Sequence, residues 1–236
     1  MKALLLAAGL GTRLRPITND IPKCLVPINS RPLLDYWLEL LTDANVKDIL
    51  VNLHYFPEQV VRYIEGSKYK DIATTIFEPE LLGTGGTLLK NRSFFENDQV
   101  MLIHADNLSK FNILNFIDSH YNRPSGTEMT MMTFVTDIPE TCGIVELDAE
   151  NRLVQFHEKV KNPPGNVANG AVYILEPSVI DFLSSLNQDF IDFSTEVIPK
   201  YLGRINTFLN STYHRDIGNL ESYAKAQDEF SKLFSI

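Results

Sequence analysis

The chain has 236 residues, 44% of them apolar and 22% charged, with a formal net charge of −9. That length suits one large α/β core better than two small ones, and the acidic balance speaks against broad binding to nucleic acid or an anionic membrane. Two cysteines, Cys24 and Cys142, suggest neither a disulfide framework nor a metal cluster, and no apolar run has the length of a membrane span, so a reducing cytoplasm is the expected setting.

In chain order, Ala3 to Leu6 reads as one buried strand, followed at once by Ala7-Ala8-Gly9-Leu10-Gly11-Thr12-Arg13-Leu14-Arg15-Pro16. The apolar run is too short for a secretory signal, and two arginines follow it without a clean small-residue cleavage site. Pro32 opens a helix through Asp43, with Leu33, Trp37, Leu40 and Leu41 on its buried side. Asp48 to Leu53 is a second strand, Pro57 begins a helix with Val60, Val61 and Ile64 inward, and Ile72 to Phe77 is a third strand. Gly85-Gly86 precedes a short helix, and Gln99 to His104 is a fourth strand that delivers Asp106 at its carboxyl end. This alternation predicts a mainly parallel sheet covered on both faces, whose ligands collect beyond the carboxyl ends of the strands. The second half reads differently. Strands over 127–135, 143–148, 152–158 and 168–175, with a hairpin at 149–151, predict a smaller, partly antiparallel lobe. Helices follow at Pro177 and near Ser194, and Tyr223, Ala226, Phe230 and Leu233 recur at helical spacing in a last helix from Asn219.

The stretch after the first strand carries the strongest chemistry. Gly9 and Gly11 lack a Cβ, so the backbone can turn tightly and approach a ligand. Consecutive N–H groups in such a turn make a concave anion site. Arg13, Arg15 and Lys23 add full positive charges, and the arginine fork suits phosphate oxygens. A Rossmann dinucleotide loop needs glycine where Leu14 stands, and a P-loop needs Gly-Lys-Ser/Thr, which Gly11-Thr12-Arg13 does not supply. A ligand-free structural turn would leave the clustered cations unexplained. Leu6 to Leu14, with Pro16, Thr18, Pro22-Lys23 and Pro27-Ile28, resembles the signature of sugar-1-phosphate nucleotidylyltransferases, and the motifs are nearest to those of mannose and heptose guanylyltransferases. The resemblance covers nearly the whole chain. It implies a Rossmann-like three-layer α/β sandwich with a mainly parallel mixed sheet and a small, partly antiparallel acceptor lobe. It also implies one nucleotidyltransferase domain over 1–236, with a nucleotide-binding half at about 1–125, a sugar-phosphate-binding half at 126–218 and a C-terminal helix at 219–236. No room is left for the β-helix that some relatives append, so a second acyltransferase activity is not expected.

Three later motifs fit this reading. Glu78-Pro79-Glu80-Leu81-Leu82-Gly83-Thr84-Gly85-Gly86 resembles the family's base-binding segment. Guanine presents two adjacent donors that one carboxylate accepts together, which tilts the base towards GTP, although related uridylyltransferases also carry acids here. Asp106 and Asp216 each read singly as a turn or cap residue. Beside a phosphate loop, two distant carboxylates suit a shared Mg²⁺, which prefers a few carboxylates plus phosphate and water oxygens, and both match the family's metal-binding aspartates. His104-Ala105 departs from the usual residues before the first of them. On an alternating strand Glu158 and Lys159 point to opposite faces unless a bulge or strand end reorients them. The resemblance assigns Glu158 to sugar hydroxyls and Lys159 to the sugar phosphate, and it places Asn107, Gly143 and Asn169 on the acceptor side. Val160 stands where proline is usual, and Asn169-Gly170-Ala171 reverses the commoner Asn-Ala-Gly.

The expected activity is transfer of a nucleotidyl group from an NTP to a sugar 1-phosphate with release of pyrophosphate, by in-line attack at the α-phosphorus without a general base. Ala8, Gly9, Gly11 and Thr12 hold phosphates through the backbone. Arg13 neutralises the pyrophosphate, Lys23 the α-phosphate and Lys159 the incoming phosphate. Glu78, Glu80, Gly83, Thr84 and Gly85 face the base, and Asp106 and Asp216 hold Mg²⁺. GTP with mannose 1-phosphate or a heptose 1-phosphate is the expected pair. The alternative is a uridylyl- or thymidylyltransferase acting on glucose, hexosamine or another sugar 1-phosphate. A nucleotide-sugar glycosyltransferase would want an Asp-x-Asp motif, which Asp106-Asn107-Leu108 lacks. A non-catalytic nucleotide-sugar sensor would not need the cations and acids kept here. The expected protein is a monomer or homodimer.

Overall fold

The computed structural model describes residues 1–233. In chain order the elements are β1 (Lys2–Leu6), short 3-10 turns between Thr12 and Leu25, β2 (Pro27–Ile28), β3 (Arg31–Pro32), α1 (Leu33–Asp43), β4 (Ile49–Leu53), α2 (Pro57–Glu65) and β5 (Ala73–Phe77). Then come α3 (Gly83–Lys90), α4 (Arg92–Phe95), β6 (Val100–His104), β7 (Asn107–Lys110), α5 (Ile113–Tyr121), β8 (Met129–Val135), β9 (Gly143–Leu147) and β10 (Leu153–Glu158). The chain continues through β11 (Val167–Leu175), α6 (Pro177–Ser185), a π-helical turn (Phe193–Val197), β12 (Ile205–Leu209), β13 (Tyr213–Asp216) and α7 (Leu220–Lys232). The last helix expected over 219–236 is α7; residues 234–236 lie outside the described residues. The chain is of the Rossmann-like α/β class, with a mixed sheet and smaller antiparallel ribbons beside it.

The fold divides into two compact units that interleave along the sequence. One, the loop unit, comprises Ala3–Glu80, His104–Lys110 and the chain from Tyr213; the other, named the acceptor unit only for the expected sugar-phosphate residues it contains, comprises Met1–Lys2, Leu81–Ile103 and Phe111–Thr212. The first 125 residues therefore contribute to both.

In the loop unit β1, β4 and β5 run parallel, with Ala3 opposite Ile49 and Ile49 opposite Ala73. All of Ile49–Leu53 is buried, as a strand flanked on both edges and covered on both faces requires. The apolar stripe of α1 packs with the turn after β1 and with α7. Leu14, Val26, Leu33, Tyr36, Leu108, Ile217, Ala226 and Phe230 form one cluster. Asn219 caps α7 by accepting from the Ser222 N–H at 2.9 Å, while the Ser222 hydroxyl accepts from the Asn219 N–H at 3.1 Å. β7 and β13, two short polar strands, pair antiparallel.

In the acceptor unit β11 is the hub. It pairs antiparallel with β6, β8 and β9, while β12 runs parallel to β8. β9 and β10 form the hairpin expected from the sequence, with Asn151 in the left-handed region at its turn. Gly85 and Gly86, expected before a helix, lie inside α3. The chain's own 189–191 segment explains the glycines: a Cβ at Gly83 would stand 2.5 Å from the Ile191 carbonyl oxygen, one at Gly85 2.6 Å from Ile191 Cγ2, and one at Gly86 would collide with the Asp189 carbonyl oxygen. Gly85 N donates to Ile191 O at 2.9 Å, which fixes this close approach.

Candidate active site

The expected phosphate loop leaves the carboxyl end of β1. Ala7 and Ala8 are buried, whereas Gly9 is exposed and a Cβ built there would meet nothing within 4 Å. Gly11 has φ +63°, where an L side chain is strained, and its carbonyl accepts from the Thr18 hydroxyl at 2.7 Å. Thr12 and Arg13 begin the next 3-10 turn and are exposed. Lys23 is only 6% exposed, an unusual state for a lysine unless its ammonium is paired.

Its partners are the two aspartates predicted as metal ligands. Lys23 Nζ lies 2.7 Å from Asp106 Oδ2 and 3.6 Å from Asp216 Oδ1. Strand pairing brings these acids together. β7 begins one residue after Asp106, β13 ends at Asp216, and Asp216 stands opposite Asn107 in the ladder. Ile217 N donates to Asp106 O at 3.3 Å, and the buried Trp37 Nε1–H donates to Asn107 O at 2.8 Å. A Cβ at Gly218 would collide with Asp216 Oδ2, so glycine there gives the carboxylate its room.

The two carboxyls respond differently to this site. Burial pushes the Asp106 pKa up, but the Lys23 charge and hydrogen bond, helped by His104, outweigh it and hold the carboxyl below its ordinary value. Desolvation holds Asp216 above its ordinary value, with Asp106 adding to the rise and Lys23 opposing it. Burial also pushes the neighbouring Cys24 thiol up to about 12, so it stays protonated and is no nucleophile. No group of three or more His, Cys, Asp or Glu side chains with metal-ligand geometry occurs among the described residues. Two carboxylates on one cation are nevertheless a donor set of the kind Mg²⁺ uses, so Asp106 and Asp216 fit the expected metal.

Glu78 is 4% exposed. Its Oε2 accepts from Asn52 Nδ2 at 2.8 Å, its N–H donates to Leu53 O and its carbonyl meets His54 Nδ1 at 2.8 Å. Asn52 Oδ1 in turn accepts from Ala7 N at 2.8 Å. Asn52 belongs to no motif, and its one signal in the sequence is an amide inside an otherwise apolar buried strand. Glu80 is exposed at the end of the same unit, whereas Gly83, Thr84 and Gly85 belong to the acceptor unit, on α3.

Gly143, Glu158, Lys159 and Asn169 also lie in the acceptor unit. β10 ends at Glu158, Lys159 has φ +50°, and this turn of the chain brings Lys159 Nζ to 3.0 Å from Glu158 Oε1. The strand end thus overrides the opposite-face expectation of simple alternation. A Cβ at Gly143 would stand 2.7 Å from Glu158 Oε2, and Lys159 N donates to Cys142 O at 3.1 Å. β11 changes register between Asn169 and Tyr173, with Ala171 at φ +53°. Asn169 closes this bulge, accepting from Ala171 N at 2.9 Å and donating to the Tyr173 hydroxyl at 2.6 Å. Burial, together with Glu158 and Asp192, raises the Tyr173 pKa, so the phenol stays protonated.

The family model for nucleotidyl transferases matches residues 2–232. The chain belongs to the nucleotidyl transferase family. This nucleotidyl transferase is 28% identical over 228 residues to a mannose-1-phosphate guanylyltransferase of Mycobacterium tuberculosis, a match that covers 94% of the chain and 62% of the relative. It is 29% identical over 243 residues to a UTP–glucose-1-phosphate uridylyltransferase of Synechocystis, covering 96% of the chain and 62% of the relative. The chain thus spans less than two thirds of those two proteins. It spans 98% of the D-glycero-α-D-manno-heptose 1-phosphate guanylyltransferase of Aneurinibacillus thermoaerophilus, to which it is 29% identical over 235 residues, 97% of its own length. Among solved structures, HddC from Yersinia pseudotuberculosis complexed with GMP-PN is similar at 28% identity and a TM-score of 0.79, over 97% of this chain and 99% of that one. No helix among the described residues of the nucleotidyl transferase is long and apolar enough to cross a membrane.

Proposed function

We propose that the protein transfers a nucleotidyl group from an NTP to a sugar 1-phosphate, releasing pyrophosphate, and that GTP with mannose 1-phosphate or a heptose 1-phosphate is its substrate pair. The observation that carries the reading is the single buried ammonium of Lys23 held by two aspartates from paired strands, beside a glycine turn with an exposed backbone. Such a centre answers the main difficulty of the reaction, which is the repulsion between two anionic substrates at a crowded α-phosphate.

The roles follow from charge. The backbone of Ala8, Gly9, Gly11 and Thr12 takes the triphosphate, and exposed Arg13 takes the departing pyrophosphate. Lys23, fixed by Asp106, presents its charge to the α-phosphate without reorganising, and Lys159 receives the sugar phosphate. A sugar-phosphate oxygen then bonds to the α-phosphorus as the bond to the β-phosphate oxygen breaks. That nucleophile is already anionic near neutral pH, so no proton has to be removed. Asp106 and Asp216 would hold Mg²⁺, which neutralises phosphate charge and orients the triphosphate when bound.

The guanine assignment is supported by the mannose and heptose guanylyltransferases among the relatives and by the GMP-PN in the similar Yersinia structure. The Synechocystis relative favours a second reading, uridylyl transfer to glucose 1-phosphate. Pyrophosphate release, measured for four NTPs against a panel of sugar 1-phosphates with Mg²⁺ present, decides between them. Turnover with GTP and mannose or heptose 1-phosphate is expected. Preference for UTP and glucose 1-phosphate selects the second reading, and release with no pair removes both.

A further inference from the structure

We propose that Asn52 is a positioning residue that locks the start of the phosphate loop to Glu78, so that the first loop donor and this base-assigned residue are held as one rigid element. The inference rests on the nucleotidyl-transfer reading and deepens it. Asn52 is 2% exposed and lies in β4 directly opposite Leu6, the last residue of β1. The backbone of β1 leaves the ladder there, and Ala7 N–H, the first donor of the loop, finds the Asn52 carbonyl oxygen at 2.8 Å. The other end of the same amide donates to Glu78 Oε2 at 2.8 Å. One planar group of fixed length therefore spans the start of the glycine turn and the residue that opens the 78–86 segment.

Glu78 is restrained at two further points, by its N–H on Leu53 O at 2.8 Å and by its carbonyl on His54 Nδ1 at 2.8 Å. With Glu78 held this way, Asn52 transmits that position to Ala7, and through Ala7 to the exposed Gly9 backbone. The donor pattern admits few substitutes. The position must accept from an N–H on one side and donate to a carboxylate on the other, both away from water, and only a carboxamide does both at this length. A purely structural amide would affect folding alone. A positioning amide sets how well the NTP binds, whereas sugar-phosphate binding, assigned to Gly143, Glu158, Lys159 and Asn169 of the other unit and to Asn107, none of which bonds to Asn52, stays as it was.

The test uses a swap of polarity. The Asn52→Asp change puts a second carboxylate against Glu78; in a Glu78→Gln background the same change still accepts from the Ala7 N–H and now accepts from the new amide as well, so only the bond between positions 52 and 78 is reversed and the net charge of the double variant equals that of wild type. Asn52→Asp is expected to raise the KM for GTP about ten-fold while the KM for the sugar phosphate stays within two-fold. Because Glu78 is itself assigned to the base, the double variant is compared with Glu78→Gln alone, and its KM for GTP is expected to lie within about three-fold of that variant's. Equal losses on both substrates, no loss at all, or a rise in KM from Asn52→Asp that is as large in the Glu78→Gln background as in wild type would overturn the proposal. If Asn52→Asp alone does not fold, the comparison of the double variant with Glu78→Gln decides, because an unchanged KM for GTP supports the lock and a raised one refutes it. Calorimetric titration of the same proteins with GTP reads the lock without turnover. A wild type that binds GTP yet transfers nothing would therefore remove the proposed reaction and leave this test intact.

Discussion

Lys23 illustrates how much one side chain carries. Its stem is buried with Cys24 and Leu25 in a 3-10 turn, and its ammonium is the common partner of Asp106 and Asp216. The Lys23→Met change keeps most of that stem and removes only the charge, so packing and electrostatics can be separated. It is expected to lower kcat/KM by about a hundred-fold or more, the scale of losing one pre-placed charged donor. Thermal stability should move by only a few degrees, since the aspartates are partly solvated and their repulsion is screened. The Asp106 carboxyl, now held low chiefly by Lys23 against its own burial, should titrate at higher pH in the variant. NMR titration of the side-chain carboxyl and steady-state kinetics check the two halves. A loss of activity matched by an equal loss of folded protein would show Lys23 to be structural.

At the scale of elements, the alternation of strand and helix through β5 was legible because buried parallel strands are continuous apolar runs and α1 and α2 carry a clear stripe. The ribbon of β7 and β13 was not. Its strands, Asn-Leu-Ser-Lys and Tyr-His-Arg-Asp, are short and polar, and they pair across nearly half of the chain, so no local pattern announces them. The two aspartates were legible only through their motifs, and the geometry that unites them came from that ribbon. The bulge in β11 is a similar case. Alternation predicts a plain strand over 168–175, yet Ala171 sits at φ +53° where the chain shifts register. The reversed order of Asn169-Gly170-Ala171 thus leaves a Cβ in a conformation that costs an L residue about 1–2 kcal/mol. Ala171→Gly relieves it, and even after the larger unfolded-state entropy of glycine the net gain should be about 0.5–1 kcal/mol. Urea unfolding at neutral pH measures this, and a destabilised variant would mean that the alanine methyl contributes packing that outweighs the strain.

At the scale of the whole molecule, sequence proximity is a poor guide to compactness, because the loop unit gathers three separate stretches and the acceptor unit the remainder. The acceptor unit also carries a group that couples its folding to pH. His120 is fully buried on α5, with Nδ1 2.8 Å from the Thr130 hydroxyl and Nε2 3.2 Å from Glu176 Oε1, and Arg123 reaches the same Glu176 oxygen at 2.6 Å. A carboxylate only accepts, so the neutral ring donates from Nε2 and accepts from Thr130 at Nδ1. Burial, reinforced by the Arg123 charge and opposed by Glu176, lowers its pKa to about 4. The unfolded chain takes up this proton near pH 6.5, whereas the folded chain resists it until about pH 4. The unfolded state therefore binds more protons throughout that interval, and stability falls as pH falls through it. At pH 5 the loss from this one ring is about 2 kcal/mol relative to neutral pH. In His120→Gln the side chain cannot take up the proton. The variant should be less stable than wild type at pH 7 by about 1–2 kcal/mol through weakened hydrogen bonds. Its further decline from pH 7 to pH 5 should be shallower than that of wild type by about 2 kcal/mol. Urea denaturation of both proteins at the two pH values measures that difference in slope, and parallel declines would show that His120 is already charged in the fold or that other groups govern its acid sensitivity.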